Sequence, residues 1–172
     1  MQPDVRRDFE FGRRFLPHLK MIVGQHLVAE APPAEDAERA TDLVVLRLDA
    51  VRIACRVRRH EYLNSYGHEF TIRSKRETGA QTELAKVLSG WARYMIYGFG
   101  SEGDAGPFMD RWVLGDLNVF RLWFQRETAR VGRAPGNELP NGDGTWFRAF
   151  SLAALPSDFV HADSDSQMAA AA

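Results

Sequence analysis

A single cysteine, Cys55, in 172 residues excludes an internal disulfide and any cysteine-cluster metal site. There is no apolar N-terminal leader and no run of about 20 apolar residues, so neither a targeting segment nor a membrane helix is expected. Gly98-Phe-Gly100 and Gly103 to Gly106 are not followed by Lys-Ser or Lys-Thr and match neither the P-loop nor the dinucleotide fingerprint. No serine sits in a Gly-x-Ser-x-Gly elbow. His18, His26, His60, His68 and His161 are dispersed, without the spacing of a helical zinc motif. The formal net charge of −1 argues against coating nucleic acid indiscriminately, so any polyanion surface must be a local patch. These absences leave a cytoplasmic, soluble, ordinary globular chain, long enough for one domain with a real core.

The informative stretch is residues 41–76. It reads as three strands: Thr-Asp-Leu-Val-Val-Leu-Arg, then Arg-Ile-Ala-Cys-Arg-Val-Arg-Arg, then Glu-Phe-Thr-Ile-Arg-Ser-Lys-Arg. Alternate side chains of a strand share a face. Arg52, Arg56 and Arg58 are therefore expected on one side, with Ile53, Cys55 and Val57 on a buried side. Arg73 and Lys75 likewise oppose Phe70, Ile72 and Ser74. Seven cations between 52 and 76 face two acids in the same span, Glu61 and Glu69, so full pairing requires partners from elsewhere. A guanidinium-rich sheet face suits a polyanion; the plain alternative is a solvated face paired with neighbouring acids. Tyr62, Tyr66, Trp91 and Tyr94 stand near these cations in sequence, an arrangement suited to stacking single-stranded bases, although core packing is the commoner use of such rings.

Elsewhere, apolar spacing predicts a helical segment over 4–29, interrupted by Pro17, then a Pro- and acid-rich loop over 30–40. A helix capped by Thr78 or Thr82 is expected to end near Gly90, followed by a strand at 94–99 and a Gly-rich loop. A strand at 111–116 and a helix over 117–127 come next. Residues 132–144 read as a loop, 145–150 as a last strand and 161–172 as a disordered tail. The domain expected is a single one, residues 1–160.

The order helix, three strands, helix, strand, with Asp-Leu-Val-Val-Leu leading into strands that carry Arg, Lys and Ser, resembles the core of the PD-(D/E)XK nuclease-like superfamily. The segments Arg-Ile-Ala-Cys-Arg-Val-Arg-Arg, Phe-Thr-Ile-Arg-Ser and Tyr-Gly-Phe also look like small phage and prophage proteins. The resemblance covers roughly residues 5–125. It implies an α/β fold with a single mixed sheet flanked by helices, of restriction-endonuclease-like type. In active members one strand opens with Asp and the next carries an acid two residues before Lys, holding Mg²⁺ and a water against the scissile phosphate. With Asp42 as first acid, the second motif here becomes Ala54-x-Arg56 or Thr71-x-Arg73. The second carboxylate is missing, and arginine cannot serve as a base.

The resemblance thus implies a phage-associated accessory protein without catalysis and without a cofactor, engaging nucleic acid or an acidic or nucleoprotein partner, including interference with a host defence system. Arg56, Arg58, Arg73, Lys75, Arg76 and Lys86 would contact phosphates. The alternative is a Mg²⁺- or Mn²⁺-dependent nuclease with a rearranged site, Asp42 as metal ligand and Glu10, Glu69 or Glu83 assisting. A third reading is a structural subunit of a larger assembly, its arginines in inter-subunit salt bridges.

Overall fold

The N-terminal run folds as two helices, α1 (Val5–Arg14) and α2 (Leu16–Gln25). Pro17 stands in the first turn of α2, where a missing N–H interrupts no intrahelical bond, so the break falls just ahead of it at Phe15. The computed structural model describes residues 5–25, 28–30, 43–45, 51–104 and 106–165, with side chains for 10–25, 51–104 and 106–165. In chain order there follow β1 (Val28–Glu30), β2 (Leu43–Val45), β3 (Ile53–Arg59), α3 (Leu63–Tyr66), β4 (Glu69–Arg76), α4 (Glu83–Leu88), β5 (Tyr94–Gly103) and β6 (Gly106–Asp116). The remainder is α5 (Leu117–Val131), β7 (Asn137–Pro140), β8 (Thr145–Ser151) and β9 (Val160–Asp163).

The architecture is α/β, as expected, but its strands do not form one sheet. The order β3-β5-β6-β9 makes a mixed four-stranded sheet, in which β3 runs parallel to β5 and the other pairs are antiparallel. A second, antiparallel sheet has the order β4-β8-β7, and β1 pairs with β2 by itself. The three strands read from residues 41–76 therefore lie in three different sheets. The reason is that none pairs with its neighbour in that stretch: β2 pairs with β1, β3 with β5 and β4 with β8, while the helical connection at 60–66 separates β3 from β4.

Further expectations are corrected. Residues 28 and 29, read as the end of the helical segment, belong to β1 (Val28–Glu30). Residues 161–163, placed in the tail, belong to β9, which pairs with β6 through Val113, Leu114 and Gly115. Residues 137–140, read as loop because of their proline and polar content, add an exposed edge strand to the second sheet. The β5–β6 connection is also shorter than the Gly-rich sequence implied, with pairing continuing out to Gly103 and Gly106.

The mixed sheet is covered on both faces. On one, Ile96, Trp112 and Leu114 pack with Phe15, Leu19 and Ile22 of the α1–α2 segment. On the other, Met95, Tyr97, Phe99 and Val113 meet Phe70 and Ile72 of β4, Phe150 of β8, and Leu117, Phe120 and Phe124 of α5. Phe120 is fully buried and makes edge-on contacts with Phe70 at 5.6 Å and Phe150 at 5.1 Å between ring centroids. The Gly98-Phe-Gly100 sequence has a packing role: the Phe15 ring occupies the space a side chain at Gly100 would need. Helix α5 starts with Asp116, whose carboxylate accepts from the Asn118 and Val119 N–H groups, and it stops at Gly132 in the left-handed region (φ 74°).

Candidate nucleic-acid interface

Alternation along β3 sends Arg56 and Arg58 into the space between the two sheets, because their neighbours in register on β5 are the buried Tyr97 and Phe99. Arg56 forms an ion pair with Glu83 at the start of α4, the two side chains being 24% and 28% exposed. Glu83 also accepts the backbone N–H of Arg73 at 3.2 Å, so one carboxylate ties β3, β4 and α4 together. The Arg58 guanidinium lies 4.9 Å from the ring centroids of both Tyr62 and Tyr66 and 5.8 Å from Phe99. It donates long hydrogen bonds of 3.4 Å to Thr71 Oγ1 and the Tyr97 hydroxyl. Arg56 and Arg58 are thus engaged within the molecule. Ile53 and Val57 face the α1–α2 layer and are only partly buried, and Cys55, expected in the core, is exposed. An edge strand leaves its flank open to solvent, which blurs the inside–outside alternation read from sequence.

The remaining expected cations belong to the second sheet and α4. Arg73 is half-buried and lies near Asp143. Burial works against the Asp143 charge, but hydrogen bonds from the Thr145 side chain and backbone, with Arg73 adding, hold its carboxyl below the ordinary value. Lys75 is exposed, with its Nζ 5.1 Å from the Trp146 ring. The register shift between Arg73 and Lys75 takes Lys75 off the simple alternation. Arg76 is half-buried, its Nε enclosed without a hydrogen-bond partner, and Lys86 is exposed on α4.

Among the described residues, the candidate nuclease acids Glu10, Glu69 and Glu83 lie apart from one another. Glu10 is exposed on α1, a helix of the layer that covers one face of the mixed sheet, whereas Glu83 pairs with Arg56 on the opposite face. Glu69 begins β4, four residues or about 13 Å of strand from the Arg73 N–H that meets Glu83. Asp42 lies outside the described residues. Among the described residues no three of His, Cys, Asp and Glu converge in a geometry that could hold a metal ion. A Ser-Asp-His group does occur: Asp110, left without a partner by the bulge in β6, accepts from Ser101 Oγ at 2.6 Å and lies 2.9 Å from His60 Nδ1 through the same oxygen. The carboxylate sits between the other two groups, so the imidazole is not placed to take the serine proton.

A different group of cations and rings comes together where β3 and β5 begin. The carbonyl of Arg52 accepts from the Arg93 N–H at 2.9 Å, which fixes the two strand entrances side by side. Gly90, at φ 82°, turns the chain so that Trp91 stands out from the surface, 69% exposed. The Arg52 guanidinium lies over the indole at 4.6 Å, and Arg93 lies 5.4 Å from the Tyr94 ring. Tyr94 in turn packs against His161 of β9 at 5.6 Å. Arg93 makes a loose pair with Asp116 at 3.4 Å. Arg121 completes the group from α5, donating to the carbonyls of Val87 at 3.0 Å and Ala92 at 3.1 Å, and to Asn118. Burial lowers the Arg121 pKa, Asp116 opposes that shift, and the like charge of Arg93 adds to it.

Arg93, Arg121 and His161 were missed in the sequence because they come from separate elements. The signal that was present is the run Trp91-Ala-Arg93-Tyr94, which interleaves rings and a cation. Comparison with protein-family models, with curated proteins and with solved structures gives no match, so the nuclease-core and phage resemblances rest on their sequence motifs alone. Among the described residues no helix is long and apolar enough to cross a membrane.

Proposed function

We propose that this protein is a non-catalytic accessory protein that binds nucleic acid through the Arg52–Trp91–Arg93–Tyr94 surface. One observation carries the reading: the Arg52 guanidinium lies over an indole that is mostly in water, and next to it in the chain a second exposed guanidinium, Arg93, lies against the Tyr94 ring, with Asp116 as its partner carboxylate. Guanidinium groups serve phosphates, and exposed rings serve bases. Lys75, Arg76 and Lys86, on the second sheet and α4, remain candidates for supplementary phosphate contacts. Arg56 and Arg58 contribute by holding the sheets in place. The phage-associated setting, a role against a host defence system and a restriction-endonuclease-like ancestry are part of the same proposal, and their support is the sequence resemblance.

The test is the salt dependence of oligonucleotide affinity, measured by fluorescence anisotropy. With two phosphate contacts on a single strand, log K falls against log salt with a slope of about −1.4 from these residues. The Arg52→Ala/Arg93→Ala double variant should reduce the measured slope by about that amount and weaken binding at every salt concentration. An unchanged slope and affinity would remove the proposal, as would a protein that binds no oligonucleotide and assembles into a defined oligomer.

A further inference from the structure

We infer that the nucleic acid taken by this surface is single-stranded, with an unpaired base stacking on Trp91; the inference rests on the nucleic-acid reading above. Three features favour unpaired bases over a duplex. Trp91 is the most exposed of the large apolar side chains among the described residues. An indole held out in water can offer a flat apolar face to a partner, and only a strand with unpaired bases has matching faces to give; a duplex buries them in its stack and shows phosphates and groove edges.

Charge is the second feature. Arg52 and Arg93 are exposed, Arg121 is spent on backbone carbonyls, and Asp116 offsets part of the total. Two phosphate contacts at most are few for non-specific duplex binding, which depends almost wholly on counterion release. Stacking must then carry the affinity. The third feature is that both rings already have a flat neighbour inside the molecule: Arg52 lies over Trp91, and His161 lies 5.6 Å from Tyr94. A ring that already has a cation or an imidazole against it has less side-chain freedom to lose when a base arrives.

The experiment compares three labelled ligands, a dT 12-mer, a U 12-mer and a 12-base-pair duplex, against the wild-type chain, Trp91→Ala and Leu122→Ala. Leu122 is an exposed apolar residue of α5 and serves as the control for loss of surface apolar area. Both single strands should bind at least tenfold more tightly than the duplex. Trp91→Ala should cost them about tenfold or more while the melting temperature stays in place, and Leu122→Ala should leave affinity unchanged. Equal or tighter binding of the duplex, untouched by Trp91→Ala, would overturn the single-strand inference and leave the nucleic-acid reading standing. Absence of binding to all three ligands would overturn both.

Discussion

Removing the Glu83 carboxylate should destabilise the fold without weakening nucleic-acid binding. In the native protein Glu83 pairs with Arg56 and accepts the Arg73 N–H, while Arg56 Nε is already buried without a partner. Glu83→Ala therefore leaves a half-buried guanidinium and a strand N–H unsatisfied. A charge-assisted hydrogen bond contributes about 1.5–3 kcal/mol when enclosed. Both side chains retain about a quarter of their exposure, so water screens the pair and recovers part of the loss, leaving about 1–2 kcal/mol. For a chain of this size that lowers the melting temperature by about 2–8 °C. The cleanest assay is a double-mutant cycle on Arg56→Met and Glu83→Gln by chemical denaturation, with an expected coupling of about 0.5–2 kcal/mol. A coupling within about 0.3 kcal/mol of zero, with Arg56→Met alone weakening oligonucleotide binding tenfold, would refute a structural role for the pair. That pair of results would return Arg56 to the binding surface.

The core and the helix cap give further expectations. Phe120→Ala empties the centre of the ring cluster between α5 and the two sheets, and should cost about 3–5 kcal/mol in denaturant unfolding. Asp116→Ala removes both the α5 cap and the partner of Arg93. Stability should fall by about 0.5–2 kcal/mol, while oligonucleotide affinity rises about two- to fivefold; a fall in affinity would contradict the role given to that carboxylate. His18 Nδ1 accepts the Met109 N–H at 2.7 Å, and burial holds its pKa below the ordinary 6.5. The unfolded chain then takes the proton more readily, so the His18 contribution is complete above about pH 6.5 and is lost as pH falls through the folded-state value. Unfolding followed between pH 7 and pH 4 should show this loss, and His18→Gln should reduce it.

Local pattern made the helices and most strands legible. Pro17 announced the division of the first helical segment, Thr82 caps α4 as one of the two residues expected to do so, and the apolar spacing of 117–124 gave α5. Pairing was not legible. Nothing local in Arg-Ile-Ala-Cys or Phe-Thr-Ile-Arg says that the first joins β5 in parallel and the second joins β8, some 70 residues away. A period of two reveals that side chains alternate, but not which face is covered. The mixed sheet is packed on both faces, so Arg56 and Arg58 are half-buried between the sheets while Arg52, at the strand entrance, stays exposed.

Four long cationic side chains, Arg56, Arg58, Arg121 and Arg148, are used in this way. Arg148, 14% exposed, donates to the carbonyls of Ala134, Pro135 and Gly136 and pairs with Glu138, fastening the loop after α5. Composition counts a guanidinium as surface charge, but a planar group with five donors can also cap carbonyls inside a fold. The Trp91-Ala-Arg93-Tyr94 run was visible throughout. Its meaning depended on Arg52 arriving beside it through β3–β5 pairing.

Photochemical cross-linking of a bound single-stranded oligonucleotide, followed by peptide mapping, bears most directly on where the ligand sits. Adducts are expected on the peptide that carries Trp91 and Tyr94 and should be suppressed in Arg52→Ala/Arg93→Ala. Adducts concentrated instead on Tyr62 and Tyr66, beside Arg58, would contradict this placement.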